Sequence, residues 1–225
     1  MKRTLWTFGD SFTDSFLPAP NSAIHWRQKY INWKGYVPKV FGEVIADKLG
    51  IELVNKGVGG CDNNDILEEF SKVCHLIKED DIVIVGWTNP QRVRFATKTN
   101  SWGFFNAQIL NDNGFFAHKP LESFNLISET TVQEVLINKE SSLYVDEVYN
   151  WGNLINTATK GAKTIQWSWH ESFNKVGILY ITGYQAIRKE TNGEVDDGHW
   201  NESSHYKLAD YFMQLISTGN KTKLL

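Results

Sequence analysis

The chain has 225 residues, of which 41% are apolar and 22% charged. Those values suit a single soluble α/β domain with one sizeable core. The net charge is -3 and there is no dense Lys/Arg cluster, so the electrostatic footprint of a nucleic-acid or anionic-membrane binder is missing. No apolar run approaches the roughly 18 residues of a membrane span.

Lys2 and Arg3 are followed at once by an apolar, β-prone run, Leu5-Trp6-Thr7-Phe8. The sequence therefore predicts a first strand that leaves no room for a cleavable leader, and a soluble, cytoplasmic protein unless it is released by another route. That strand stops at Gly9-Asp10-Ser11. Residues 15–35 hold two prolines and no clean period, and read as a long loop with at most one short helix. Apolar positions from Val37 to Leu49 fall at helical spacing, so a helix is expected over 36–49, stopped by Gly50. Ile51–Asn55 reads as a short strand that empties into Gly57-Val58-Gly59-Gly60. A second helix follows over 63–77, then a turn at Asp80-Asp81. Ile82–Gly86 is a continuous β-branched run, as in a parallel strand buried on both faces.

The stretch 91–142 carries only a weak helical signal near 131–137, and reads as an insertion packed over one end of the sheet, a lid or binding wall. Beyond it come a helix over 145–159, a strand over 163–169 ending at His170-Glu171, and a short strand over 178–183. A loop over 193–204 precedes a final helix over 204–217. Cys61 and Cys74 read as small reduced residues rather than a disulfide. Alternating strands and helices predict one doubly wound α/β domain with a parallel sheet.

In such a sheet the carboxyl ends of the strands share one edge, where ligands bind. Three predicted strands end there in suggestive residues: Gly9-Asp10-Ser11, Gly57–Gly60 and Trp87-Thr88-Asn89-Pro90. Asp196-Asp197-Gly198-His199 precedes the last helix. Together they supply the parts of an acyl-transfer site. Ser11 attacks, His199 takes its proton, and an acid a few residues away holds the imidazole. The N–H groups of Ser11 and Gly60, with the Asn89 amide, bind the oxyanion. Each piece also has a plainer reading. Ser11 with Asp14 fits a helix N-cap, and Asn89-Pro90 and Asp197-Gly198 fit turns. Gly57–Gly60 fits a dinucleotide loop poorly, because Asp62 stands where the third glycine belongs. His205 reads as a helix-start histidine, and His170-Glu171 as surface residues.

These blocks resemble, in order and over almost the whole chain, those of the SGNH or GDSL-type serine hydrolases: Phe8–Asp14, Asn55–Gly60, Trp87–Asn89 and Asp196–His199. The resemblance implies a three-layer α/β/α sandwich around a parallel sheet of about five strands, of flavodoxin-like type. It also implies ester hydrolysis through an acyl-serine, with no metal or other cofactor. Its Asp-x-x-His spacing selects Asp196 as the triad acid, with Asp197 adjacent. In the third block Trp87 replaces the usual glycine and Pro90 the usual aspartate. Nine tryptophans and a polar-aromatic insertion suit removal of short acyl groups, such as acetyl, from a carbohydrate. A lipid esterase or thioesterase is the enzymatic alternative. A carbohydrate-binding or structural protein without turnover is the alternative of another class.

Overall fold

The computed structural model describes residues 2–15, 32, 35–90, 92–96, 98, 102–106, 116–117, 141–159, 161–175, 178–181 and 202–218. Strands β1 (Thr4–Gly9), β2 (Glu52–Gly57), β3 (Ile82–Trp87), β7 (Lys163–Ser168) and β8 (Leu179–Tyr180) form one sheet. All its pairings are parallel, in the order β2-β1-β3-β7-β8. Side chains on a strand alternate between faces, and here both faces are apolar. Leu5, Ile82 and Ile84 pack on one side with helices α1 (Phe41–Leu49) and α4 (Glu202–Thr218). Trp6, Phe8, Val83, Val85 and Trp87 pack on the other with α2 (Asn63–Val73) and α3 (Ser141–Ala158). The result is a three-layer α/β/α sandwich with two cores.

Aromatic rings run through both cores. Phe41 packs edge-on against Trp167 and Phe212, with centroids 5.8 and 5.3 Å apart. Phe8 meets Phe70 of α2 at 5.4 Å. Burying each phenylalanine stabilises the fold by about 1.5–3 kcal/mol. Gly86 has a specific job here. A Cβ at that position would stand 2.9 Å from the Trp167 ring, so only glycine lets the indole lie against β3.

Several boundaries differ from the sequence expectation for identifiable reasons. α1 starts at Phe41, not at residue 36, because Pro38 biases the residue before it away from helix and Val40 is extended. Glu43 then accepts the Val40 N–H at 2.9 Å, and Gly50 in the left-handed region closes the helix. α2 has the reciprocal cap its sequence lacks in Ser/Thr form: Asp62 accepts the Asp65 N–H and Asp65 accepts the Asp62 N–H. It ends at Val73 and tightens into a 3-10 turn over Cys74–Leu76. The largest difference lies in 91–142, where no strand is expected. Its described residues form an antiparallel sheet of β4 (Arg92–Ala96), β5 (Trp102–Asn106) and β6 (Phe116–Ala117). The weak helical signal at 131–137 lies outside the described residues.

Candidate active site

The sheet's strand order reverses between β1 and β3, because β2 lies on one side of β1 and β3, β7 and β8 follow on the other. Such a switch point opens a crevice at the carboxyl edge. Ser11 sits there, in a tight turn directly after β1. The carbonyl of Asp10 accepts the N–H groups of Thr13 and Asp14, each at 2.9 Å. Gly9 is required by close approach, since a Cβ there would come within 2.2 Å of Thr13 Oγ1.

The end of β2 is fitted against this turn. A Cβ on Gly57 would fall 2.5 Å from the Asp14 backbone nitrogen, so the two backbones pack with no room for a side chain. The Asn55 amide donates to Thr13 O at 2.7 Å while its Oδ1 accepts Gly57 N–H at 2.8 Å. Val58 donates to Gly9 O, and Asp14 Oδ2 accepts Gly59 N–H, both at 2.9 Å. Cys61 N–H returns to Val58 O, closing a turn in which Gly60 has φ 78°. That is the third turn position, where glycine is favoured for a positive φ. A Cβ on Gly59 would lie 4.0 Å from Ser11 Cβ. The glycine-rich turn thus lies beside the serine.

Asp10 joins this assembly to the third block. It is almost fully buried; Oδ1 accepts Phe12 N–H at 3.1 Å and Oδ2 accepts Thr88 Oγ1 at 2.7 Å. Trp169 Nε1 donates to Oδ2 at 3.4 Å, and the Arg92 guanidinium stands 3.6 Å away. Thr88 is held in turn by Asn63, which accepts its N–H and donates to its carbonyl. Asn89 is fully buried. Trp87 packs into the α3-side core, where its Nε1 donates to Gln166.

The structure therefore brings Ser11, the Gly60 turn and the Thr88-Asn89 segment to one edge. Asp196, Asp197 and His199 lie outside the described residues. Just beyond them in the chain, α4 starts at Glu202, whose carboxylate accepts Tyr36 Oη at 2.6 Å. His205 is buried near the start of α4, and its Nδ1 accepts Phe41 N–H at the start of α1. Glu43 in that same turn of α1 accepts Ser15 Oγ at 2.6 Å, next to the Ser11 turn. The first turn of α4 is thus tied to the edge that carries Ser11.

Some roles at the site escape sequence reasoning. Asp10, Thr88 and Arg92 act through contacts between distant parts of the chain, which no local pattern reports. His170 is half-buried rather than a surface residue. Burial lowers its pKa, with Glu171 opposing; its Nδ1 accepts Ser172 N–H. Burial pushes the Cys61 thiol well up, with Asp10 adding to the shift, and both cysteines are free. Among the described residues no three His, Cys, Asp or Glu side chains gather as a metal site, and no helix is long and apolar enough to cross a membrane.

No family model and no curated protein matches the sequence. Solved structures are similar at low identity. A member of the lipolytic protein G-D-S-L family from Veillonella parvula is 10% identical with TM-score 0.46, over 96% of this chain and 99% of that one. A carbohydrate esterase is 12% identical with TM-score 0.46, over 96% and 68%. An acetyl xylan esterase from Geobacillus stearothermophilus is 14% identical with TM-score 0.38, over 100% and 96%. These neighbours are GDSL-type lipolytic proteins and carbohydrate esterases. None of them assigns a role to a residue of this chain.

Proposed function

We propose that the chain is a serine-dependent ester hydrolase of the SGNH type, with Ser11 as nucleophile. The observation that carries this reading is the position of Ser11: on a tight turn at the β1/β3 switch point, packed against the glycine turn that ends in Gly60. His199 accepts the Ser11 Oγ proton as Oγ attacks the ester carbonyl carbon. Asp196, with Asp197 as its neighbour, orients the imidazole. Ser11 N–H, Gly60 N–H and the Asn89 amide hold the oxyanion. The tetrahedral adduct collapses, His199 protonates the departing alcohol, and an acyl-serine remains. Water deprotonated by His199 then releases the acid and restores Ser11. Three Cα–Cα steps, at most about 11 Å of chain, lead from His199 to Glu202, and Glu202 belongs to the same edge as Ser11.

The substrate we infer is a short acyl ester, such as acetyl, on a carbohydrate. Half-buried Trp169 supports this: it meets Phe12 edge-on at 5.7 Å, next to Ser11, and an indole face suits a sugar ring. The burial of Asn89 favours one rival, a carbohydrate-binding protein that keeps the fold without turnover. A fluorophosphonate probe separates the two. Covalent labelling that maps to Ser11 by mass spectrometry supports the hydrolase, whereas an unlabelled, folded protein that binds glycans supports the rival. Release of acetate from acetylated oligosaccharides, with rates that fall as the acyl chain lengthens, separates the deacetylase from a lipid esterase or thioesterase.

A further inference from the structure

The first residue of the β4–β6 layer takes part in the site, a role that neither the triad nor the oxyanion donors account for. Side chains two residues apart on a strand share a face, and on β4 that face carries Arg92 and Arg94. Both are clamped to the main domain. Arg94 Nη1 pairs with Asp65 at 3.0 Å and Glu68 at 3.5 Å, fixing β4 on the start of α2. Arg92 reaches further in, with its side chain only 13% exposed. Its Nη1 donates to the Cys61 carbonyl at 2.8 Å and stands 3.6 Å from Asp10 Oδ2. Cys61 closes the turn that holds Gly60, and Asp10 holds the turn that presents Ser11.

We propose that Arg92 is a positioning residue that locks the Ser11 turn and the Gly60 turn into one unit, through Asp10 and the Cys61 carbonyl. The proposal rests on Ser11 being the nucleophile. Among the described residues Arg92 is the basic group paired with the buried Asp10 carboxylate. The Asp10 carboxylate that Arg92 meets also accepts Phe12 N–H and Thr88 Oγ1, which fixes the backbone on either side of the switch point. The same nitrogen of Arg92 anchors Cys61 O. Nucleophile and oxyanion donor are thereby set at a constant separation, and a small error in such a separation costs far more in turnover than in binding. The β4–β6 layer then serves as a brace for the catalytic geometry.

The test combines hydrogen–deuterium exchange with kinetics on the full chain carrying Arg92→Met or Arg92→Lys. With Arg92→Met, exchange rises about tenfold in segments 9–15 and 57–62 together, while β3 keeps its protection. On p-nitrophenyl acetate, kcat falls about thirtyfold with KM within about twofold of the parent. Arg92→Lys keeps the charge and recovers part of both changes; it also serves if Arg92→Met folds too poorly to purify. Loosening of only one segment, a general rise in exchange, or an unchanged kcat per folded molecule overturns the proposal. Ser11→Ala runs in parallel. If it hydrolyses ester as fast as the parent, the nucleophile assignment fails and the catalytic role of Arg92 falls with it. The exchange data then decide by themselves whether Arg92 couples the two turns.

Discussion

Two buried aspartates stand at opposite edges of the same sheet, and they are used differently. Asp81 lies one residue before β3, at the amino edge; Asp10 lies one residue after β1, at the carboxyl edge. Asp81 accepts Thr4 N–H, Lys78 N–H and Trp6 Nε1 at 2.9 to 3.0 Å, and its own carbonyl accepts Lys163 N–H. All four partners belong to strands or the turn beside them, so this residue staples β1, β3 and β7 together. Asp10 instead gathers residues beyond the strand ends: Phe12, Thr88, Trp169 and Arg92. The same chemistry secures the scaffold at one edge and aligns loops at the other. That is the expected division in an open α/β sheet, where ligands bind beyond the carboxyl edge.

The comparison is broken most severely at Asp81. Asp81→Ala leaves three donors without an acceptor and should cost about 3 kcal/mol of stability. The rate per folded molecule should hardly change. Urea unfolding and active-site titration check both halves. The pH dependence has a definite sign. Burial alone would push the Asp81 carboxyl up, but hydrogen bonds from Lys78, Trp6 and Thr4 outweigh it and hold its pKa below the ordinary value. Its contribution is therefore fully present above the unfolded value, about 3.9. It is lost as pH falls through the lower folded value, and Asp81→Asn should flatten that part of the stability curve.

At the other edge the expected effects reverse. Asp10→Asn should lower kcat/KM about a hundredfold by shifting the Ser11 turn, with a smaller loss of stability than Asp81→Ala. An equal rate loss in both variants would erase the proposed division of labour. Thr88→Val removes one donor to Asp10 and should cost about tenfold in kcat/KM, close to 1.4 kcal/mol. The smallest effect belongs to His170. Burial holds its pKa below the ordinary value, so the unfolded chain takes up its proton first. Stability should decline as pH drops below about 6.5, and His170→Gln should remove that decline in melts taken from pH 7 to pH 5.

How much of this is legible in sequence depends on the range of the contacts involved. Ile82–Trp87 announces a strand buried on both faces because the burial is written in its own residues. Gly9-Asp10-Ser11 announces a strand end for the same reason. Pro38 delays α1 in a way a periodicity count overlooks, although the proline itself is in view. The strands at 92–96 and 102–106 are harder to read because the alternation at 92–95 covers only four residues and Trp102–Asn106 does not alternate. Arg92-Val93-Arg94-Phe95 does alternate charged and apolar residues, and its two charges are balanced by partners on α2 and at the site. Asp81 looks like an ordinary turn residue, and Asp10 has no role of its own within its block, until the fold brings distant donors to them. Of the candidate site, the serine, the glycine turn and the third block converge as their strand-end positions suggest. Asp196 and His199 stand as proposals from the sequence.

The most direct measurement is hydrolysis of p-nitrophenyl acetate by the parent protein and by Ser11→Ala, each shown to be folded by circular dichroism. A Ser11 nucleophile predicts a loss of about a thousandfold or more in kcat. Activity in the parent should also decline as pH falls through the His199 range near about 6.5. Equal rates from the two proteins would contradict the central claim.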